Sequence, residues 1–404
     1  MWLQIIPREP LLVGDVKAGS QFLVGRPYIP GRVLRGALAL DLLRQGASAT
    51  RVREVVGRLR LGNFFPAVQW GDVRYALPLP MTAMTCKRHP GFREGPKGGR
   101  KGHGVVDALL PRLAYRLLLE AGARFPVPFA FECAAEGCQG RMEPYVRFYS
   151  LQEHNGEQHF VAFEVRYHAQ TRVALSRRRR AASEAMLYTA SALAPRAPCP
   201  DGNGSAPVAF LGRAAGDDDA LALLREALGR TAIGALHNRG YGRVQVEEAR
   251  VDLPALAQRL QAFNETLKRL WADLRRLAAN AVTVPEAPSG TYFSLDLLAP
   301  AVFRADGVPS LLPQLTVAGR RLEPVLWVTR PDLASGWSTA WGLPKPTDLA
   351  ARAASTYVYR MPGDASTLLP ELERIEQEGV GERRDESFGE CLICHPFHLE
   401  VEER

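Results

Sequence analysis

Hydrophobic and polar positions alternate from Trp2 to Pro7, the period-two signature of a first strand in a half-buried sheet. A polar, glycine-bearing segment from Leu11 to Gly25 follows, and Pro30-Gly31 marks a turn. From Val33 to Leu43 apolar residues recur at helical spacing, which predicts a helix with Arg32 and Arg35 at or near its N-terminus. Alternation returns between Phe160 and Tyr167; with the polar bend after it, the run Arg172 to Arg180 and a return through Leu187, it predicts a β-hairpin. Pro195 to Ser205 reads as a surface loop, Asp217 to Leu228 as a short helix with an acidic start, and Val244 to Val246 as another strand. Leu253 to Leu277 carries a period near 3.6 over about seven turns, an apolar stripe that suits plain core, a linker or a partner helix. After a proline-bearing junction, Ala281 to Gly290, strands are expected over Thr291 to Leu298 and up to Tyr359. An acidic helix, Thr367 to Glu378, and a last strand around Leu392 and Ile393 complete the pattern.

One plan occurs twice: a helix, a glycine-bearing loop with arginines, then a strand. In the first copy the loop is Arg239-Gly240-Tyr241-Gly242-Arg243. Glycines at alternate positions let the backbone take positive φ or approach a partner closely, and exposed NH groups between arginines suit a phosphate. An ordinary tight turn with solvated arginines has the same spacing. The second copy, Gly379 to Gly389, has its charge diluted by Asp385 and Glu386. The helix carrying Arg32 and Arg35 offers a comparable anion site through its free NH groups, or is an amphipathic helix whose arginines face water. This mixture of strands and helices is an α+β pattern. We expect a first domain over 1–250, a helix and linker over 251–290, and a degenerate copy of the first domain over 291–404.

At 404 residues the chain is long enough for two or three domains, and 46% hydrophobic with 23% charged residues makes it globular. The net charge of +8 comes mostly from arginine and favours an anionic partner, nucleic acid being the commonest. No window of about 18 apolar residues is present, so no membrane helix is expected. The first residues lack the marks of a secretory signal, and a cytoplasmic location is the expectation.

Six cysteines in a chain of this size are no disulfide scaffold, and their clustering speaks for metal. Cys133 and Cys138 flank a loop containing Gly137 that can fold both thiolates onto one ion, and Cys86 supplies a third ligand from a distant turn. His103 or His89 completes a tetrahedron suited to structural zinc, which would order the glycine-rich and lysine-rich stretch Gly91 to Gly104. Three unrelated thiols buried as small hydrophobes are the alternative. Cys391 and Cys394 have metal-like spacing too, but in a strand they point to opposite faces.

The run Tyr28-Ile29-Pro30-Gly31-Arg32-Val33-Leu34-Arg35-Gly36-Ala37-Leu38-Ala39, preceded by a strand and followed much later by the glycine-basic loop, resembles the RAMP superfamily of CRISPR-associated proteins. Arg32-Val33 stands where small hydroxyl residues are frequent. The segments Leu77 to Phe92, His103 to Leu109, Cys133 with Cys138, Gln170 to Arg177 and Ala182 to Tyr188 resemble the Csx-ten family, a Cas-five-like subunit of type III-D effector complexes. The resemblance implies two tandem ferredoxin-like (RRM-like) domains, a metal-bearing insertion at about 80–145 and a β-hairpin thumb at about 159–190 that lies against guide RNA.

Two functions follow. As a binding subunit the chain grips the 5′ repeat-derived handle of crRNA without cleaving it, in antiviral defence. Its neighbours would be the large polymerase-like subunit, backbone RAMP subunits and nearby target RNA. Arg32, Arg35, Lys87, Arg172, Arg177, Arg178, Arg239 and Arg243 then hold phosphates, while Tyr188 or Phe92 stack on bases. As a metal-independent endoribonuclease it would use His237 or His168 as a general base. Target slicing by a loop aspartate would fall to Asp15.

Overall fold

The computed structural model describes residues 1–14, 22–93, 102–338, 342–362 and 368–399. Asp15, part of the lysine-rich stretch before His103, and the first residue expected for the acidic helix lie outside them. The chain is a mixed α+β structure with six α-helices among the described residues.

The strand Trp2–Pro7 lies at the centre of the N-terminal sheet, antiparallel to both Ser205–Ala215 and Val244–Glu248. Phe65–Val68 pairs with the far side of Ser205–Ala215. Numbered along the chain, these four strands stand in the order fourth, first, third, second. The crossovers are helical: α1 (Gly31–Arg44) and α2 (Ala49–Gly57) after the first strand, and α4 (Asp218–Arg230) after the third. Leu34, Leu38 and Leu42 of α1 and Leu221, Leu224 and Leu228 of α4 pack with Leu3, Ile5 and Phe210 on one sheet face. Asp217 caps α4 by accepting from the Ala220 amide at 2.8 Å.

Between the second and third strands the chain leaves this unit. Asp72–Pro78, Phe148–His154 and Glu157–Phe163 form a three-stranded sheet, whose Tyr75, Leu77 and Tyr149 cover the other face of the first sheet. Ala83–Cys86, Val105–Asp107 and Met142–Pro144 form a small sheet, and α3 (Leu109–Glu120) follows its second strand. The long hairpin pairs Tyr167–Ser176 with Ala181–Leu193, Val173 opposite Leu187, and its second strand continues in parallel onto Phe22–Val24. The alternating stretch around Phe160 pairs instead with Phe148–His154, because the strand ends at Phe163 and residues 164–166 are non-strand before the hairpin begins at Tyr167.

The C-terminal sheet repeats the strand order. Counting Thr291–Leu297 first, Leu326–Val328 second, Thr356–Met361 third and Cys391–Ile393 fourth, it too reads fourth, first, third, second. Helix α6 (Leu369–Glu378) joins the third to the fourth strand, while two small hairpins within 303–322 occupy the first crossover. The periodic helix α5 (Leu256–Arg276) is core: Leu260, Phe263, Leu267 and Trp271 pack on Phe293, Leu295 and Leu113 of α3. Arg259 of α5 is buried on Glu376 of α6, with both carboxylate oxygens accepting, at 3.0 and 2.9 Å.

Three parts of the chain meet at His398. Its Nδ1 lies 2.9 Å from Asp107 and its Nε2 2.8 Å from Asp296, all three side chains being buried. Burial alone would push the imidazole down, but the two carboxylates outweigh it and hold His398 up at about 10. Burial would raise Asp296, and the facing imidazolium outweighs that to hold it at about 2. The histidine's contribution to stability is therefore full below its unfolded pKa of about 6.5 and is lost as pH rises through 10; the aspartate's is present above about 4 and lost towards pH 2. Removing the imidazole in His398→Gln is expected to cost roughly 3–5 kcal/mol. Thermal unfolding should show the wild type losing stability between pH 6.5 and 10, with that fall missing from the variant.

Candidate nucleic-acid interface and metal centre

After α4 the chain turns back through a loop whose geometry needs glycine. Leu236 takes φ 62°, a short helical turn spans His237–Arg239, and Gly240 and Gly242 take φ 79° and 92°. A Cβ on Gly242 would lie 2.3 Å from the Ile233 carbonyl oxygen, whereas one on Gly240 would meet nothing within 4 Å. Gly242 is thus fixed by both packing and φ, and Gly240 by φ alone. Tyr241 between them is buried and donates its hydroxyl to Gln170 of the long hairpin at 2.9 Å.

That bond brings the hairpin's base onto the loop. The Arg172 guanidinium stands 5.4 Å from the Tyr241 ring centre and donates to the Arg239 carbonyl at 3.4 Å. Arg239 in turn sits 5.7 Å from the ring of Tyr188, the cross-strand partner of Arg172, and donates to its hydroxyl. Two arginines and two tyrosines, one pair from each element, therefore form one platform. Arg243 is 80% exposed beside it, with its Nε 3.8 Å from a Glu9 oxygen. Arg177 and Arg178 lie exposed in the turn at the far end of the hairpin.

The remaining predicted phosphate ligands lie elsewhere. Arg35 donates to the Asp385 carbonyl and Arg32 stands 5.3 Å from the Phe388 ring, so the start of α1 faces the second glycine loop. In that loop Arg383 bonds Glu386 and Asp348, and Lys345 bonds Glu386, which occupies its charges internally. Lys87 is exposed beside the cysteines. Phe92 is buried between Phe160 and Phe397 and offers no face to a base.

Cys86, His103, Cys133 and Cys138 converge: their ligand atoms all lie within 4.8 Å of one another, and the group could hold a metal ion. The Cys86 and Cys138 sulfurs are 3.6 Å apart, and Cys133 Sγ is 3.4 Å from His103 Nδ1. Burial raises the Cys86 thiol, but NH groups of His89 and Arg88 outweigh it and lower the net value. Burial pushes Cys133 up to about 11 against an NH bond from Ala135. Gly140 lets the turn close, since a Cβ there would be 2.7 Å from the Cys86 sulfur. His89 stacks on the His103 ring at 4.2 Å. Cys391 and Cys394 are separately buried in the C-terminal core, and burial pushes Cys394 up to about 12.

No family model matches the sequence, and no curated protein matches it. Among solved structures the chain is similar to one in the type III-B Cmr-beta complex bound to cognate target RNA and AMPPnP, with 12% identity, 94% of this chain and 89% of that chain covered, and a TM-score of 0.41. It is also similar to a chain of the Csm3–Csm4 subcomplex of a type III-A interference complex, with 11% identity, coverage of 89% and 92%, and a TM-score of 0.33. A chain of the Csm1–Csm4 cassette in complex with pppApA matches at 15% identity, 90% and 88% coverage and a TM-score of 0.30. The strand order, and not these scores, defines the fold.

The four-ligand group makes a direct prediction. Purified protein should carry about one metal ion per chain by elemental analysis, and Cys133→Ser should lose it and unfold at lower temperature. A metal-free wild type as stable as a metal-loaded one overturns the centre.

Proposed function

We propose that the chain is a non-catalytic RNA-binding subunit of a type III CRISPR effector, a cytoplasmic RAMP protein of the Csx-ten kind that grips the 5′ handle of crRNA and contacts the large polymerase-like subunit. The observation that carries this reading is the platform of Arg172, Arg239, Tyr188 and Tyr241, where the hairpin base and the glycine loop join. Guanidinium groups held against aromatic rings suit ribose-phosphate chain and unpaired bases together. Two sheets in the order fourth, first, third, second support reading the chain as two ferredoxin-like units, the second with hairpins in place of its first helix. The ordered motifs from Tyr28 to Tyr188 support the family.

The metal is proposed to be zinc. Zinc bonds of about 2.3 Å to sulfur and 2.0 Å to nitrogen, in a tetrahedron, place sulfurs about 3.8 Å apart and sulfur about 3.5 Å from nitrogen. The two short pairs, at 3.6 and 3.4 Å, come within about 0.2 Å of these values, and all four ligand atoms lie within 4.8 Å of one another. With three thiolates and a histidine the site is closed, which makes its role structural: Cys86, His103, Cys133 and Cys138 would tie the small sheet to the loops around it.

Cleavage finds less support. The His237 ring nitrogen Nε2 lies 2.5 Å from the Gly234 carbonyl, a local bond within its own loop. Labelled repeat RNA incubated with the protein in EDTA should stay intact; cleavage abolished by His237→Ala would overturn the non-catalytic reading.

Charge reversal of Arg172 and Arg239 together should weaken single-stranded RNA binding at least tenfold and flatten the plot of log affinity against log salt by about 0.7 per lost phosphate contact. Unchanged affinity and slope in filter binding remove the platform as the RNA site.

A further inference from the structure

A second cleft, of about 540 Å³, opens where the first unit, the three-stranded sheet and the C-terminal unit meet. That volume falls in the range of about 300–1,000 Å³ typical of small-ligand sites. Its wall includes the rings of Tyr28 and Phe148, their centres 6.3 Å apart, and at its rim are Arg26, Arg147 and Arg352. Two carboxylates also line it. Glu164 is bonded to Arg166 at 3.0 Å, and Asp332 accepts from the Leu333 amide at 2.8 Å. Among the described residues no carboxylate pairs with Arg147 or Arg352, both of which are exposed. Arg26 donates to the Tyr28 hydroxyl at 2.8 Å and fixes that ring in the wall. The cleft therefore combines an aromatic floor with two arginines, Arg147 and Arg352, that no carboxylate pairs among the described residues.

We propose that this cleft takes a single nucleotide of the bound RNA, with its base against Tyr28 and Phe148 and its phosphate on Arg147 and Arg352. The chemistry that separates it from a plain anion site is the pairing of ring faces with guanidinium groups: aromatic rings receive the π-face of any base, and the arginines fix the phosphate that follows. The residues come from both units, as Tyr28 precedes α1 and Arg352 precedes the strand Thr356–Met361. A nucleotide seated here would bridge the units. The inference rests on the RNA-binding reading above, and adds a base-binding pocket apart from the hairpin platform.

The full chain is tested with a ten-nucleotide single-stranded RNA carrying one photoreactive 4-thiouridine at successive positions. One position should crosslink to the peptide containing Tyr28 or Phe148. Arg147→Glu with Arg352→Glu, both at exposed sites, should abolish that crosslink and lower affinity about tenfold. Phe148→Ala should weaken the crosslink while leaving the salt slope unchanged, and Tyr28→Ala serves in its place should that variant misfold. If charge reversal at Arg172 and Arg239 removes binding while the Arg147 and Arg352 pair binds as wild type with its crosslink intact or never present, the pocket is refuted and the platform stands. If neither pair alters binding, both readings fall together. Equal loss of affinity for RNA and for inorganic phosphate, with no crosslink at either ring, reduces the cleft to an anion site and overturns the proposal.

Discussion

An imidazolium held between two buried carboxylates ties the molecule together. Asp296 sits in a central strand of the C-terminal sheet, Asp107 ends a strand of the small sheet that carries Cys86, and His398 comes from the chain's last described turn. Burying three charges is costly unless each lone pair is used. Here they are. Asp296 also accepts from Ser294, from Thr356 and from the His395 amide, and Asp107 from Thr82 and the Leu109 amide. Oily replacements could match the net energy, but charged groups with fixed partners accept one register only, which is the best-supported use of buried ion pairs.

That register places the functional elements. Asp107 holds the strand that follows His103, so the group of three cysteines and His103 is built on a sheet already docked to the C-terminal unit, and α3, whose Leu109 amide donates to Asp107, packs on α5. The first unit is docked by a different contact. Glu390 accepts from the amide and the side chain of Asn63, and Ser387 donates to the Leu61 carbonyl. The start of α1 consequently faces the second glycine loop. This loop therefore acts as an interface between units, while its counterpart after α4 meets the base of the long hairpin.

The legible parts of the fold were those with one dry face. Trp2–Pro7 alternates because Leu3 and Ile5 point into the helical layer, α4 announces itself through Asp217, and α5 through its single apolar stripe. Ser205–Ala215 gave no such signal, and its first residue, Ser205, read as loop, since helices cover one sheet face and the three-stranded sheet the other and so remove the alternation. Phe65–Val68 is buried along its whole length for the same reason. The cysteine group could be assembled from residue types alone, because thiolate and imidazole chemistry narrows the options. The contacts of Arg32 and Arg35 with the second glycine loop and the burial of Phe92 could not be read, because their partners lie far along the chain. The His398 group was invisible for the same reason, its carboxylates being 291 and 102 residues away.

The two arginine groups on the hairpin differ in how much order they already possess. Arg177 and Arg178 extend from a turn at the far end, and each would give up its rotamer freedom on meeting a phosphate. Arg172 and Arg239 are already held by rings and carbonyls, so part of that ordering was completed when the protein folded. On the proposed RNA-binding reading, binding strength resides at the hairpin's base, while the tip chiefly raises the rate of encounter through its field. The glycines complete this division. Positive φ at Gly240 and close packing at Gly242 bury Tyr241 beneath Arg172 while leaving Arg239 and Arg243 at the surface, so the loop's side chains split between support and contact.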